Sequence, residues 1–287
     1  MRLSYAQNLE DVHLELMLAG EPPGIYVDVG GGHPVADNVS FYFYLKGWHG
    51  LVVEPQAKLA EVYAHVRPRD VTVSMLAGAK DGEAQFHTVD KLHGFSTTVR
   101  ENAAGAAKFG AGYVTIQKTV RTLTELAREA GLSAVDFLKI DVEGAEADVL
   151  AGIDFKKLRP RLVLVEAIVP GSMEAAWDGW EPYLTNNGYR FAFFDNLNRF
   201  YVAEEASELA KRLPEAPAPW GRVGHLWDCG RAPERGDHPD HALAKTLVAG
   251  LMAELPSLPR AFLAQLLEAG LAADRRTLSD AERAALL

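Results

Sequence analysis

Two strand ends in this chain carry acids where a ligand would meet them. The buried-strand pattern Phe137-Leu138-Lys139-Ile140 stops at Asp141-Val142-Glu143-Gly144-Ala145-Glu146, just before a helical pattern begins. In an open parallel sheet, ligands bind in the crevice beyond the carboxyl ends of the strands, and crowding Asp141, Glu143 and Glu146 there is costly without a purpose. Upstream, Ile25-Tyr26-Val27-Asp28-Val29 runs into Gly30-Gly31-Gly32-His33-Pro34. An acid is again followed by glycines that let backbone approach a ligand closely.

The glycine loop is a poor dinucleotide fingerprint. Its third small position is Val35, and Asp28 stands where an apolar residue is wanted. A P-loop is excluded, because no Gly-Lys-Ser/Thr follows. An acid at this place repels a pyrophosphate and suits a ligand with positive charge, such as the sulfonium or amino group of S-adenosylmethionine. Glu54 ends the next strand in Leu51-Val52-Val53-Glu54-Pro55. At that distance a carboxylate accepts from both hydroxyls of a ribose, which holds for nicotinamide and S-adenosyl cofactors alike.

These residues need strands to present them. Ile25–Val29, Gly50–Glu54, Val71–Leu76, Val135–Ile140 and Arg161–Ala167 read as strands, and their alternation with amphipathic segments predicts a parallel α/β sheet. The helical segments are Asn8–Ala19, Asn38–Lys46, Ala57–Val66, Thr122–Glu129, Glu143–Ala151 and Ser172–Thr185. Asn8 reads as an N-cap with Asp11 in the first turn, which leaves Gln7 and Glu10 to reach a cofactor or lid the pocket. Ala84–Val89 and Tyr113–Val120 look like extra strands joined by a covering loop from Leu92 to Gly112. Tyr189–Phe194 and Arg199–Ala203, turned at Asp195-Asn196, read as a closing antiparallel hairpin.

Bulk properties remove several classes of function. The chain has 287 residues, 48% hydrophobic and 24% charged, which is a globular composition. A formal charge of −10 disfavours nucleic acid and anionic lipid as partners. Met1–Gln7 lacks a continuous apolar signal core, and no apolar run approaches the roughly 20 residues of a membrane span, so the expectation is a cytoplasmic protein without membrane insertion. The single cysteine, Cys229, has no partner for an internal disulfide. After Glu204 the composition turns to Pro214, Pro217, Pro219, Trp220 and Trp227, with a polar stretch to Pro239. From His241 amphipathic helices resume, including Ala261–Ala272 and a last one capped by Ser279. Residues 205–287 are expected to be a linker and helical extension that packs on the main domain or on another subunit, making a homo-oligomer.

The set Ser4–Asp11, Val27-Asp28-Val29-Gly30, Val53-Glu54-Pro55, Phe137–Glu146 and Leu162–Glu166 resembles the FkbM family of S-adenosylmethionine-dependent methyltransferases. Leu-Lys-Ile-Asp-Val-Glu-Gly-Ala-Glu is the most specific part, and the likeness covers roughly residues 3 to 203. It implies a class I methyltransferase, Rossmann-like α/β fold over residues 1–204. The sheet would be seven-stranded and mostly parallel, with helices on both faces and an antiparallel last strand. It also implies O-methylation of a small-molecule or glycan acceptor. Carried over by position, Asp28 and Gly30, with Gly31 beside them, line the methionine moiety. Glu54, followed by Pro55, takes the ribose, Ala79-Lys80-Asp81 the adenine edge, and Asp141 faces the reaction centre. Many members read Gly-Ala-Asn where this chain has Gly30–Pro34, so His33 either replaces a polar contact or adds a base. Gly94–Thr98 matches the family's variable substrate cover.

An acceptor hydroxyl must lose a proton, and His33, Asp141 and Glu143 are the candidate bases. Asp141, Glu143 and Glu166 could instead hold Mg2+ that orients and acidifies a sugar diol. Trp177 and Trp180 are expected to border the acceptor, since sugar rings stack on exposed aromatics, whereas Phe41–Tyr44 read as core. The alternatives are a nicotinamide-dependent oxidoreductase and a non-catalytic cofactor-binding assembly module.

Overall fold

The computed structural model describes residues 3–89, 93–169, 172, 174–218, 223–226, 236, 241–263 and 265. Trp220, Trp227, Cys229, Ser279 and most of Ala261–Ala272 lie outside them. A short extended piece, β1 (Leu3–Ser4), leads into α1 (Glu10–Met17). There follow β2 (Ile25–Val29), α2 (Val39–Leu45), β3 (His49–Val53), α3 (Ala57–Val66) and β4 (Val71–Val73). β5 (Leu76–Ala77), β6 (Gly82–Val89), α4 (Arg100–Gly105) and β7 (Tyr113–Arg121) come next, then α5 (Leu123–Glu129), β8 (Phe137–Ile140) and α6 (Glu146–Ala151). β9 (Leu162–Glu166), α7 (Glu181–Thr185), β10 (Tyr189–Phe194) and β11 (Asn198–Ala203) complete the sheet region.

Seven strands form one sheet in the order β10-β11-β9-β8-β2-β3-β4. All run parallel except β11, which is antiparallel to both neighbours. Alternating side chains give each face its own core. Val27, Val29, Leu51, Val53, Leu138, Ile140, Val163 and Val165 meet α5, α6 and α7 through Leu126, Val149 and Leu184. Tyr26, Val52, Phe137, Leu162 and Leu164 meet Leu14 and Met17 of α1, Phe43 of α2 and Tyr63 of α3. Fully burying side chains such as Leu14 and Met17 contributes about 2 kcal/mol each.

Several expected boundaries move. Asn8 does not cap α1; Leu9 holds that place with φ at +64°, and its side chain is buried. Val71–Leu76 divides between the main sheet and a second sheet of order β5-β7-β6. Of Ser172–Thr185 only Glu181–Thr185 is helical, because Ile168 pairs with Ala175 and holds the chain extended there.

Residues up to Val223 form one compact unit and those from Gly224 another. In the first, the 3-10 helix Glu204–Arg212 buries Leu209 in the α1/α2 core. In the second, α8 (His241–Glu254) runs into a 3-10 turn at Leu255–Ser257. No helix among the described residues is long and apolar enough to cross a membrane.

Candidate active site

Parallel register builds the site. Val53, Val29, Ile140 and Val165 are aligned across β3, β2, β8 and β9. The next residues, Glu54, Gly30, Asp141 and Glu166, therefore form a row across four carboxyl strand ends. Asp28 and Lys139, each two residues earlier and paired with one another, share the face of that row.

Lys139 is the joint between the strand ends. Its Nζ donates to the Gly30 carbonyl at 2.7 Å and lies 3.5 Å from Asp28 Oδ1 and 3.3 Å from Asp141 Oδ2. Burial pulls the lysine pKa down, but Asp141 and Asp28 outweigh it and hold the amine charged. Gly30 has φ at +75°, and a Cβ there would stand 1.7 Å from the Asp141 carbonyl oxygen. A Cβ on Gly31 would meet Val52 Cγ1 at 2.5 Å. Gly30 is thus demanded by the approach of the Asp141 backbone and Gly31 by the side chains packed beneath the loop.

Asp28 is fully buried. Ser40 Oγ donates to its Oδ2 at 2.5 Å, while Oδ1 has no hydrogen-bond partner among the described residues. Behind Ser40 stands Arg67, which donates to Ser40 Oγ, Asn38 Oδ1 and the Tyr26 hydroxyl and pairs with Asp70 at 2.7 Å. Asn38 in turn caps α2 by accepting from the Phe41 N–H. Sequence reasoning missed Arg67, since Val66-Arg67-Pro68-Arg69-Asp70 has the composition of a surface turn.

Glu54 braces the glycine loop. Its carboxylate accepts the N–H groups of Gly32 and Gln56, each at 2.7 Å, and burial pushes its pKa up to about 7. Pro55, the next residue, accepts Ser74 Oγ at 3.2 Å.

Asp141, Glu143 and Glu166 each bring an oxygen within 4.8 Å of the others. Burial, then repulsion from Asp141, raises Glu143 and Glu166 well above the usual carboxylate range. Glu166 Oε2 is buried with no hydrogen-bond partner among the described residues. Glu146 stands apart from this trio. Its Oε1 accepts the N–H groups of Val142 and Gly144, so it braces the loop from within as well as placing an acid in the first turn of α6.

Other candidates make contacts of their own. His33 Nδ1 accepts the N–H groups of Val35 and Ala36 at 3.2 and 3.0 Å. In the neutral ring that leaves the proton on Nε2. Ala79 and Lys80 are exposed, and Asp81 pairs with Arg121 at 2.9 Å and accepts the Thr122 N–H, closing a corner of the small sheet. Trp180 is 2% exposed and packs in the core, so it presents no face to an acceptor. Trp177 is half-buried with the Arg199 guanidinium 4.6 Å from its ring centre.

The N-terminal segment crosses the row as a strap. Tyr5 accepts the Asn38 N–H at one end, and Asn8 Nδ2 donates to the Asp195 carbonyl at the other. Gln7 lies exposed between them. Glu10 is not available to a cofactor. It is 3% exposed, accepts from Asn8 N–H and Asn198 Nδ2, and is pushed to about 8 by burial and then by Asp195.

Compared with known families, the chain matches the Methyltransferase FkbM domain over residues 28–191, more than half its length. It belongs to the FkbM methyltransferase family. The nicotinamide oxidoreductase reading falls with that membership. No curated protein matches the chain. Among solved structures, magnesium protoporphyrin IX methyltransferase (ChlM) from Synechocystis PCC 6803, with bound SAM, is 13% identical, covering 69% of this chain and 78% of its own with a TM-score of 0.38. StiE O-MT is 10% identical, covering 84% of this chain and 69% of its own with a TM-score of 0.32. The residues of this FkbM methyltransferase suit S-adenosylmethionine on their own geometry. Asp28 Oδ1, two residues before Gly30, is a buried carboxylate oxygen with the Lys139 ammonium 3.5 Å away and no hydrogen-bond partner among the described residues, which leaves it able to accept from a cationic amino group.

Proposed function

We propose that this methyltransferase transfers a methyl group to a hydroxyl of a sugar, glycan precursor or related natural product. When bound, S-adenosylmethionine supplies a methyl group activated by sulfonium charge. Asp28 and the Gly30–Gly31 turn hold its amino-acid part, Glu54 receives the ribose hydroxyls, and the strap carrying Gln7 covers it. Lys139 keeps Asp28 and Asp141 at fixed separation, so the two halves of the site stay in register.

The observation that carries the reading is the convergence of Asp141, Glu143 and Glu166 beside this row. Three carboxylates disfavour an anionic acceptor and favour an uncharged, hydroxyl-rich one. Their mutual repulsion is relieved by Mg2+, which also lowers the pKa of coordinated hydroxyls, and the unpartnered Glu166 Oε2 supports a cation there. Activity that needs no Mg2+ assigns the acceptor proton to Glu143, whose carboxyl is held above the usual range by burial.

The test is calorimetric titration with S-adenosylmethionine, with and without Mg2+, followed by methyl transfer to a panel of sugars. Asp28→Ala is expected to weaken cofactor binding at least tenfold, and Glu143→Gln to abolish transfer while leaving cofactor binding intact. Absence of cofactor binding, or transfer undiminished in Glu143→Gln, refutes the assignment.

A further inference from the structure

We propose that Thr97 and Asn102, on the segment inserted between β6 and β7, are positioning residues that hold Glu143 within the acid trio. The inference rests on the reading of that trio given above.

Glu143 is one of four non-glycine residues with positive φ among those described, at +58°. For an L-residue with a side chain this conformation costs roughly 1–2 kcal/mol and persists only where neighbours enforce it. The loop enforces half of it, since Glu146 Oε1 accepts the Val142 and Gly144 N–H groups. The other half comes from outside the loop. The Glu143 carbonyl oxygen accepts from Thr97 Oγ1 at 2.9 Å and from Asn102 Nδ2 at 2.7 Å. Both of its lone pairs are thereby committed to the inserted segment.

The donors are themselves fixed. Thr97 is 1% exposed and exchanges two backbone hydrogen bonds with His87 of β6, at 2.8 and 3.1 Å. Asn102 lies in the first turn of α4, and its approach needs Gly144, where a Cβ would stand 2.5 Å from Asn102 Nδ2. With both donors removed, the Glu143–Gly144 peptide is no longer fixed from outside the loop, and a relaxation of Glu143 φ toward negative values would re-aim its Cβ and with it the carboxylate. One carbonyl oxygen thus couples the acceptor-side segment to the acids it covers, so displacement of residues 97–102 by a bound acceptor moves Glu143 directly.

The test compares the Thr97→Val/Asn102→Leu double variant, which removes both donors at similar volume, with Thr97→Ser, which keeps its donor. Three readouts are taken on the full chain: amide hydrogen exchange at Val142 and Gly144, Mg2+ affinity by calorimetry with the metal alone, and S-adenosylmethionine affinity. The double variant should exchange at least tenfold faster at both amides and bind Mg2+ at least fivefold more weakly, with cofactor affinity within twofold and Thr97→Ser close to the native protein. Unchanged exchange overturns the proposal. If the native protein binds no Mg2+, the cation reading fails by itself and amide exchange alone decides for or against the positioning role. Should the double variant not fold, Asn102→Asp carries the same measurements.

Discussion

With Glu54 as the ribose acceptor, cofactor affinity should depend on pH in a direction opposite to that of fold stability. Its carboxyl is raised from 4.5 to about 7 by burial, with the Gly32 and Gln56 N–H groups pulling the other way. Only the ionised form presents full acceptor strength to ribose hydroxyls. If binding requires that form, the apparent Kd equals the intrinsic value divided by the ionised fraction. That fraction is about one-eleventh at pH 6 and about ten-elevenths at pH 8, so affinity should rise roughly tenfold over this interval, about 1.4 kcal/mol. S-adenosylhomocysteine is the proper probe, having the same ribose and an uncharged sulfur. Calorimetry from pH 5.5 to 8.5 should give a sigmoid with its midpoint near 7, and Glu54→Gln should bind more weakly with no such slope. A flat native profile, or a slope surviving in Glu54→Gln, refutes the argument.

Three further outcomes follow from the same geometry. Glu10, raised from 4.5 to about 8, binds a proton on folding, so its contribution is complete below pH 4.5 and is lost as pH rises through 8. The loss is on the order of 3 kcal/mol by pH 7, and urea unfolding of Glu10→Gln should lie below native stability at pH 5 and above it at pH 8.5. Lys139→Met leaves Asp28 and Asp141 without their shared cation and should cost about 3–5 kcal/mol in the same assay. Gly30→Ala forces a Cβ against the Asp141 carbonyl and should abolish cofactor binding, read by calorimetry on whatever protein remains folded.

Much of the strand-end row was legible because strand ends announce themselves. The apolar runs before Asp28, Glu54, Asp141 and Glu166 locate four carboxyl ends, and parallel pairing then brings their acids together. What the pattern could not convey was each acid's partner. Glu10 sits in a helix like any solvated glutamate until Asp195 and Asn198, nearly two hundred residues on, enclose it. Arg67 looks like turn composition until Ser40, Asn38 and Tyr26 fold around it. What His33 does locally was also invisible, since the backbone N–H groups of Val35 and Ala36 claim its Nδ1. Trp180 carries no sequence mark that separates a core indole from a stacking platform.

The antiparallel insertion of β11 has a consequence for where this enzyme can be cut. It places the Asp195 turn at the same end of the sheet as the strand-end row, so the strap from Tyr5 to Asn8 is anchored near the sheet's centre, at Asn38 after β2, and near one margin, at the β10–β11 turn. The family match spans residues 28–191 and contains neither strap nor β11. A fragment trimmed to those limits would leave β10 with no neighbour to pair with and β9 with a bare edge. The family match lies in the middle of the chain, while the strap and the strand that complete its sheet region lie at either end.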